Sequence, residues 1–347
     1  METTLAELSQ SEDENSDLSV TVATTARLHF GFFDPSGRTS RPFGSFGLSL
    51  DGPGTSLTLK HSADDVATGP EAERAARYLR TIANAHTIDR SYRLDVAEAI
   101  PAHAGLGSGT QLALAVGAAF GMLEGLELST SQIARELGRG ARSGIGIATF
   151  ESGGAVLDSG PHGGGLPQLV ARVHFPAPWR TLLIFDPTSN GLDGADELEA
   201  FETSPGYSEE ERNALERRIL ERALPALEAQ DFDAFCKEVG YLQTRMGEYF
   251  APSQGGTFTS PKVGAVLETL RAKGVTGLGQ SSWGPTGFAF ADTEAGAQRL
   301  LAIASEAMRR IDNGSALELV ITKGRNTGAE ISAPHRLASK NLGAADA

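Results

Sequence analysis

Cysteine is nearly absent: Cys236 stands alone in 347 residues. One thiol excludes an internal disulfide and any cysteine-rich zinc site, and it fits a reducing, cytoplasmic setting. Positive charge is also in short supply. Thirty Lys and Arg face 44 Asp and Glu, a formal net charge of -14, which argues against nucleic acid and anionic membrane surfaces as partners. Any anion pocket must therefore be built locally. No run approaches the roughly 18 apolar residues that a membrane-spanning helix needs, so no membrane association is expected. Met1 to Asp17 lacks a basic n-region and an apolar h-region, and its Glu, Asp and Ser content reads as a disordered acidic tail. Internal repeats and heptads are missing as well. His103 and His162 have no neighbours at metal-ligand spacing, which argues against zinc and leaves both as second-rank site candidates.

What remains has the composition of a soluble enzyme, 40% hydrophobic and 21% charged. The length predicts two domains, over 18–186 and 187–347, divided near Pro187. Residues 20–30, 45–50, 55–61 and 92–97 alternate as strands, and helices are expected over 70–85, after residue 107 to about 123, and over 129–137. The stretch Arg139 to Gly165 is so rich in glycine that tight turns between short strands are expected there. Further on, a strand at 180–185 precedes helices over 209–229, 232–249 and 262–273. A glycine-rich turn at 277–287, a strand at 288–291, a helix at 294–309 and a strand at 318–323 complete an α+β pattern.

The most informative segment is Pro101-Ala-His-Ala-Gly105-Leu-Gly107-Ser-Gly109-Thr-Gln111, which runs into the small-residue helix that starts at Leu112. Alternate glycines let the backbone turn sharply and approach a ligand, while Ser108 and Thr110 add hydroxyls at a helix start. The unpaired N–H groups and positive dipole there suit a phosphate without any lysine. Lysine is indeed missing, so the loop fits neither the Walker A pattern nor Gly-x-Gly-x-x-Gly. A purely structural Gly-Leu-Gly turn is the alternative.

Three segments in this order resemble the GHMP small-molecule kinase superfamily: Ala26-Arg-Leu-His-Phe-Gly, the loop at 101–110, and Gly277-Leu-Gly-Gln-Ser-Ser-Trp-Gly-Pro-Thr-Gly287. Within it, Arg27-Leu-His-Phe-Gly-Phe-Phe-Asp34, Arg41-Pro-Phe-Gly-Ser-Phe-Gly47 and Arg142-Ser-Gly-Ile-Gly-Ile-Ala-Thr-Phe150 resemble the β-ribofuranosylaminobenzene 5'-phosphate synthases. The stretches Gly247 to Gly256 and Gly191 to Glu197 are similar to that family too, so the likeness runs from about Val20 to Ser332. It implies a two-domain α+β fold, a ribosomal S5 domain 2-like layer followed by a ferredoxin-like layer, with the active site between them and a homodimeric assembly. It also implies a transferase that condenses 4-aminobenzoate, or a close 4-substituted benzoate, with phosphoribosyl pyrophosphate. Carbon dioxide and pyrophosphate would leave, with Mg²⁺ as cofactor, in an early step toward tetrahydromethanopterin.

Such a reaction assigns expected roles. Gly105, Leu106, Gly107, Ser108, Gly109 and Thr110 would bind the sugar phosphate, although the superfamily usually has Ser where Gly109 stands. Asp34 would hold Mg²⁺ or move a proton, since Mg²⁺ prefers hard oxygen ligands, while Asp34-Pro-Ser-Gly37 also makes a good capped turn. Arg41 suits a two-pronged contact with a carboxylate or phosphate, or is a solvated loop charge. Arg27 and His29 share one face of a strand, with Leu28 and Phe30 on the other, which places a cation and a titrating group in one cleft. Arg142 and Ser143 form a further anion contact, and Gln280, Ser281 and Ser282 shape the substrate site from the late glycine motif. Trp283 reads as either site or core, and Glu248, beside Tyr249, as acid, metal ligand or solvated charge. An ATP-dependent GHMP kinase using the same loop is the rival reading, and a ligand sensor without chemistry is the third.

Overall fold

The computed structural model describes residues 18–191, 199–201, 206–311 and 317–333. The acidic tail expected at 1–17 and most of the stretch from Gly191 to Glu197 lie outside them.

The first layer grows from one long antiparallel hairpin, β1 (Ser19–Asp34) and β2 (Phe43–His61), paired from Ser19 with Lys60 to Asp34 with Phe43. Its outer half alternates as the sequence does, Val20 and Val22 turning inward against Leu57 and Leu59. Bulges between Thr25 and Arg27 and between His29 and Gly31 break that register in the inner half and re-aim the side chains there. β3 (Val66–Thr68), β4 (Tyr92–Glu98), β5 (Ala155–Asp158) and β6 (Leu169–Val173) extend the sheet beyond β2. Helices α1 (Ala72–Ala85), α2 (Ser108–Glu124), α3 (Thr130–Glu136) and α4 (Ile145–Ser152) belong to the same half of the chain. α2 is apolar on nearly all sides, from Leu112 to Phe120, because α1, α3 and α4 surround the part that the sheet does not cover.

The helix α4 corrects the expectation of turns and short strands throughout 139–165. Glycine serves close packing there: a Cβ on Gly146 would stand 2.9 Å from Thr110 Cγ2, so only a bare backbone brings α4 against the start of α2.

The second layer is an antiparallel sheet of β7 (Arg180–Phe185), β8 (Leu278–Gln280), β9 (Gly287–Ala291) and β10 (Glu318–Thr322), in the order β10-β7-β9-β8. Leu182, Ile184, Ala289 and Ala291 bury one face against α8 (Pro261–Ala272) and α9 (Glu294–Ile311). Leu183, Phe288 and Phe290 turn the other way, into a core shared with β1 and with α5 (Glu209–Arg218), a π turn, α6 (Leu224–Glu228) and α7 (Phe232–Gln254). Phe30 of β1 meets Phe288 and Phe290 at ring-centroid distances of 5.4 and 5.8 Å, which ties the layers together.

The division expected near Pro187 does not coincide with the change of sheet. β7 already belongs to the second sheet and β6 to the first, so the change falls between Val173 and Arg180, and β11 (Glu330–Ser332) returns to pair with β1.

Candidate active site

The glycine loop and the late glycine motif are in backbone contact. Gly105 and Gly107 have φ of 77° and 83°, the left-handed region that glycine enters without strain. A Cβ on Gly105 would lie 2.2 Å from the Ser281 carbonyl oxygen, and one on Gly284 would lie 2.3 Å from the Ala104 carbonyl. Ser281 clamps the contact: its hydroxyl donates to the Gly105 carbonyl at 2.8 Å and accepts from the His29 N–H at 3.0 Å. Arg27 completes it, donating from Nη1 to the Gly105 carbonyl at 2.6 Å and from its backbone N–H to Leu106 at 3.1 Å. Ser108, Gly109 and Thr110 follow as the half-buried first turn of α2.

Beside this clamp, His29 is 2% exposed, and both of its ring nitrogens are buried without a hydrogen-bond partner. Burial first, then the Arg27 and Arg142 charges, hold its pKa well below the usual histidine range, so the ring is neutral. It packs on Phe32 at 4.5 Å between ring centroids, Phe32 meets Phe201 at 5.5 Å, and the Arg142 guanidinium lies 4.9 Å over the Phe201 ring. Two arginines, a neutral imidazole and an aromatic wall therefore converge beside the glycine loop. Ser143 belongs to the floor: with Ser45, and with the N–H groups of Gly144 and Gly160, it donates to buried Asp158. Burial raises the Asp158 pKa against the pull of those bonds.

Other expected residues have structural work. Asp34 accepts from the N–H and hydroxyl of Ser36 at one oxygen and from those of Thr39 at the other. It caps the β1–β2 turn, five residues from His29, or about 16 Å along the strand. Arg41 turns outward to Glu216 at 2.7 Å and Asn213 at 3.1 Å, fastening that turn to α5. Both side chains are thus engaged at the turn, Asp34 buried and Arg41 exposed. The Leu106 side chain is 1% exposed and contributes to the site through its backbone only. The Gln280 side chain is consumed by Thr259, Gln254 and the Ser282 carbonyl. Ser282, at φ 55°, donates its N–H to the His29 carbonyl and borders the same small cavity as His29. Trp283 is core against Phe250, Glu248 is an exposed partner of Arg245, and Tyr249 is 5% exposed in the shared core. His103 lines the groove beside the loop, whereas His162 lies on an exposed turn.

Sequence reasoning missed two cations. A Cβ on Gly109 would stand 2.4 Å from Arg74 Nη2 and 3.6 Å from Arg139 Nη1, and Tyr78 Oη accepts from both side chains. In the sequence, Arg74 sits among the charges of an amphipathic helix and Arg139 just past another, so nothing marks them. Gln111 was missed too; it is fully buried and joins Thr24 to the Gly146 carbonyl, fixing α2 between β1 and α4. Among the described residues, no group of three His, Cys, Asp or Glu is placed to hold a metal ion, and no helix is long and apolar enough to cross a membrane.

This arrangement of two layers around a glycine loop is that of the GHMP kinases. Residues 71–154 match the GHMP kinases N-terminal domain, and residues 223–310 match the GHMP kinases C-terminal family. Homoserine kinase from Cytophaga hutchinsonii has a TM-score of 0.65 at 14% identity, covering 90% of this chain and 97% of its own. Mevalonate diphosphate decarboxylase from Enterococcus faecalis reaches 0.62 at 18%, with 91% and 99% covered. At such identities the likeness is one of fold. The sequence is more specific: it is 31% identical to a beta-ribofuranosylphenol 5'-phosphate synthase of Archaeoglobus fulgidus, over 89% of this chain and 98% of that one. A protein of the same name from Methanothermobacter thermautotrophicus is 27% identical, over 89% and 97%. The chain belongs to the beta-ribofuranosylphenol 5'-phosphate synthase family, within the GHMP kinase superfamily.

Proposed function

We propose that the protein joins C1 of phosphoribosyl pyrophosphate to the ring carbon of a 4-substituted benzoate that carries the carboxylate. The C1–O bond breaks with its electron pair leaving on pyrophosphate, and the ring carbon attacks the cationic ribose. The ring–carboxylate bond then breaks, its electrons restore aromaticity, and carbon dioxide departs. No proton is exchanged at the reacting carbon, so the chemistry asks less for a base than for placement, a sink for departing charge and a dry slot. A donor para to the carboxylate enriches that carbon, and both amino and hydroxyl groups serve. The resemblance read from the sequence implies 4-aminobenzoate, while a phenol in the relatives' names favours 4-hydroxybenzoate.

The observation that carries this reading is the convergence of Arg27, Arg142 and neutral His29 with the glycine loop and Phe201. Loop amides, Ser108 and Thr110 take phosphate, Arg142 receives the benzoate, and His29 and Phe32 keep its surroundings poorly hydrated. Asp34 does not suit the metal role, because both of its oxygens are occupied by turn donors. We place Mg²⁺ instead on the sugar diphosphate, as part of the substrate, where few protein ligands are needed. Cytoplasmic location, a homodimer and an early place on the route to tetrahydromethanopterin belong to the same proposal.

The test offers purified protein, Mg²⁺ and phosphoribosyl pyrophosphate with 4-hydroxybenzoate, 4-aminobenzoate or unsubstituted benzoate, with a parallel ATP arm. Pyrophosphate release is expected with the two para-donor acids and not with benzoate. ATP consumption in a polyol panel, with no reaction of the benzoates, would establish a kinase instead.

A further inference from the structure

We propose that Arg74 and Arg139, bridged by Tyr78, form a diphosphate subsite over Gly109, and that the missing side chain at 109 is what lets them reach it. The proposal rests on the sugar-diphosphate reading above and assigns the residues that take its second phosphate.

The geometry begins with space. A Cβ at 109 would meet Arg74 Nη2 at 2.4 Å and Arg74 Cζ at 3.2 Å, so the guanidinium occupies the volume a side chain would need. Arg139 Nη1 stands 3.6 Å from the same point. Two like charges do not gather beside the positive end of a helix without something to compensate them. The protein supplies little: Glu71 reaches Arg74 at only 3.4 Å, and no ion pair joins Arg139 to a carboxylate among the described residues. Arg139 Nε is buried with no hydrogen-bond partner. The Tyr78 hydroxyl oxygen accepts from both arginines, from Arg74 Nε at 3.0 Å and Arg139 Nη2 at 2.5 Å, and so fixes their spacing. Arg139 also lies 5.1 Å over the Tyr78 ring. A polyanion supplies the missing charge, and guanidinium forks match phosphate oxygens in pairs.

The surroundings leave room for it. A groove of about 670 Å³ opens beside Arg74, lined also by Gly69, Arg77, His103 and the acidic Glu71 and Glu73. One phosphate on the loop amides and the next against Arg74 and Arg139 accounts for a loop that carries no lysine. A ligand with a single phosphate has no use for the pair.

The experiment titrates inorganic pyrophosphate, and separately inorganic phosphate, with Mg²⁺ into the full chain by calorimetry. The variants are Arg74→Ala, Arg139→Ala, Gly109→Ser and the double variant Gly109→Ser/Arg74→Ala, each checked by thermal denaturation. Loss of a charge-assisted contact weakens pyrophosphate binding about tenfold or more in each arginine variant, with phosphate binding little changed. Gly109→Ser pushes Arg74 aside and reproduces its loss, and the double variant is no weaker than Arg74→Ala alone, because both substitutions remove the same contact. Pyrophosphate binding that is undetectable in the unmodified protein, or undiminished in Arg74→Ala, overturns the subsite. So does a double variant whose losses add. Pyrophosphate binding that depends on Arg74, in a protein that makes nothing from phosphoribosyl pyrophosphate and benzoates, leaves the subsite standing and removes the proposed reaction. Normal turnover in Arg74→Ala does the reverse.

Discussion

At the scale of single residues, His29 sets a cost against a use. A buried ring with neither nitrogen bonded forfeits the hydration it had in the unfolded chain, so folding alone does not select it. His29→Phe, beside Phe32, is expected to hold or raise the melting temperature at pH 7.5 while lowering turnover. The pH dependence follows from the sign of the shift. The folded pKa is depressed below the unfolded value of about 6.5, so on acidification the unfolded chain takes up a proton that the folded one refuses. Stability is lost as pH falls below about 6.5 toward the folded value, and regained as it rises. Thermal denaturation at pH 7.5 and 5.5 checks this: the unmodified protein should lose more on acidification than His29→Phe, and equal losses would remove His29 from the account. Residue types on one strand were enough to pair Arg27 with His29. Asp34 was harder to read because Asp-Pro-Ser-Gly carries two meanings, ligand or turn cap, and its hydrogen bonds to Ser36 and Thr39 show the cap.

At the scale of elements, the site depends on two glycine turns meeting without side chains between them. Gly284→Ala would place a carbon 2.3 Å from the Ala104 carbonyl and from Gly105 Cα, backbone that cannot swing away. We expect a loss of about 1–3 kcal/mol, with phosphate affinity falling because the 101–110 loop must shift. Denaturant unfolding together with phosphate titration measures both, and a variant with native stability and affinity would show that the contact is dispensable. Most elements were legible because their periodicity survives in the sequence. The strand at 180–185 falls on a short apolar run, and the helix beginning at 294 falls where the 3.6-residue period places it. α4 was not legible, since Gly144 and Gly146 read as turn formers when Gly146 brings α4 close to Thr110 and Gly144 lies against Pro167 and Asp158. Arg74 and Arg139 were hidden for a related reason: an arginine near a helix surface looks solvated until the fold sets Gly109 against it.

At the scale of the whole molecule, two sheets share one aromatic core through Phe30, Phe288 and Phe290, and the glycine loop joins that core through Ala104 and Leu106. The order of motifs indicated two layers, but not that β7 joins the second or that β11 closes back on β1, because strand exchange between sheets leaves no local pattern. Carbon–carbon joining with loss of the carboxylate distinguishes the proposed reaction from every simple transfer of phosphoribose to oxygen or nitrogen, which would retain it. The deciding measurement is therefore the ratio of labelled carbon dioxide to pyrophosphate when phosphoribosyl pyrophosphate reacts with carboxyl-labelled 4-hydroxybenzoate or 4-aminobenzoate. The account predicts equal amounts, with the label gone from the ribosylated product; pyrophosphate released while the label stays on that product would contradict it.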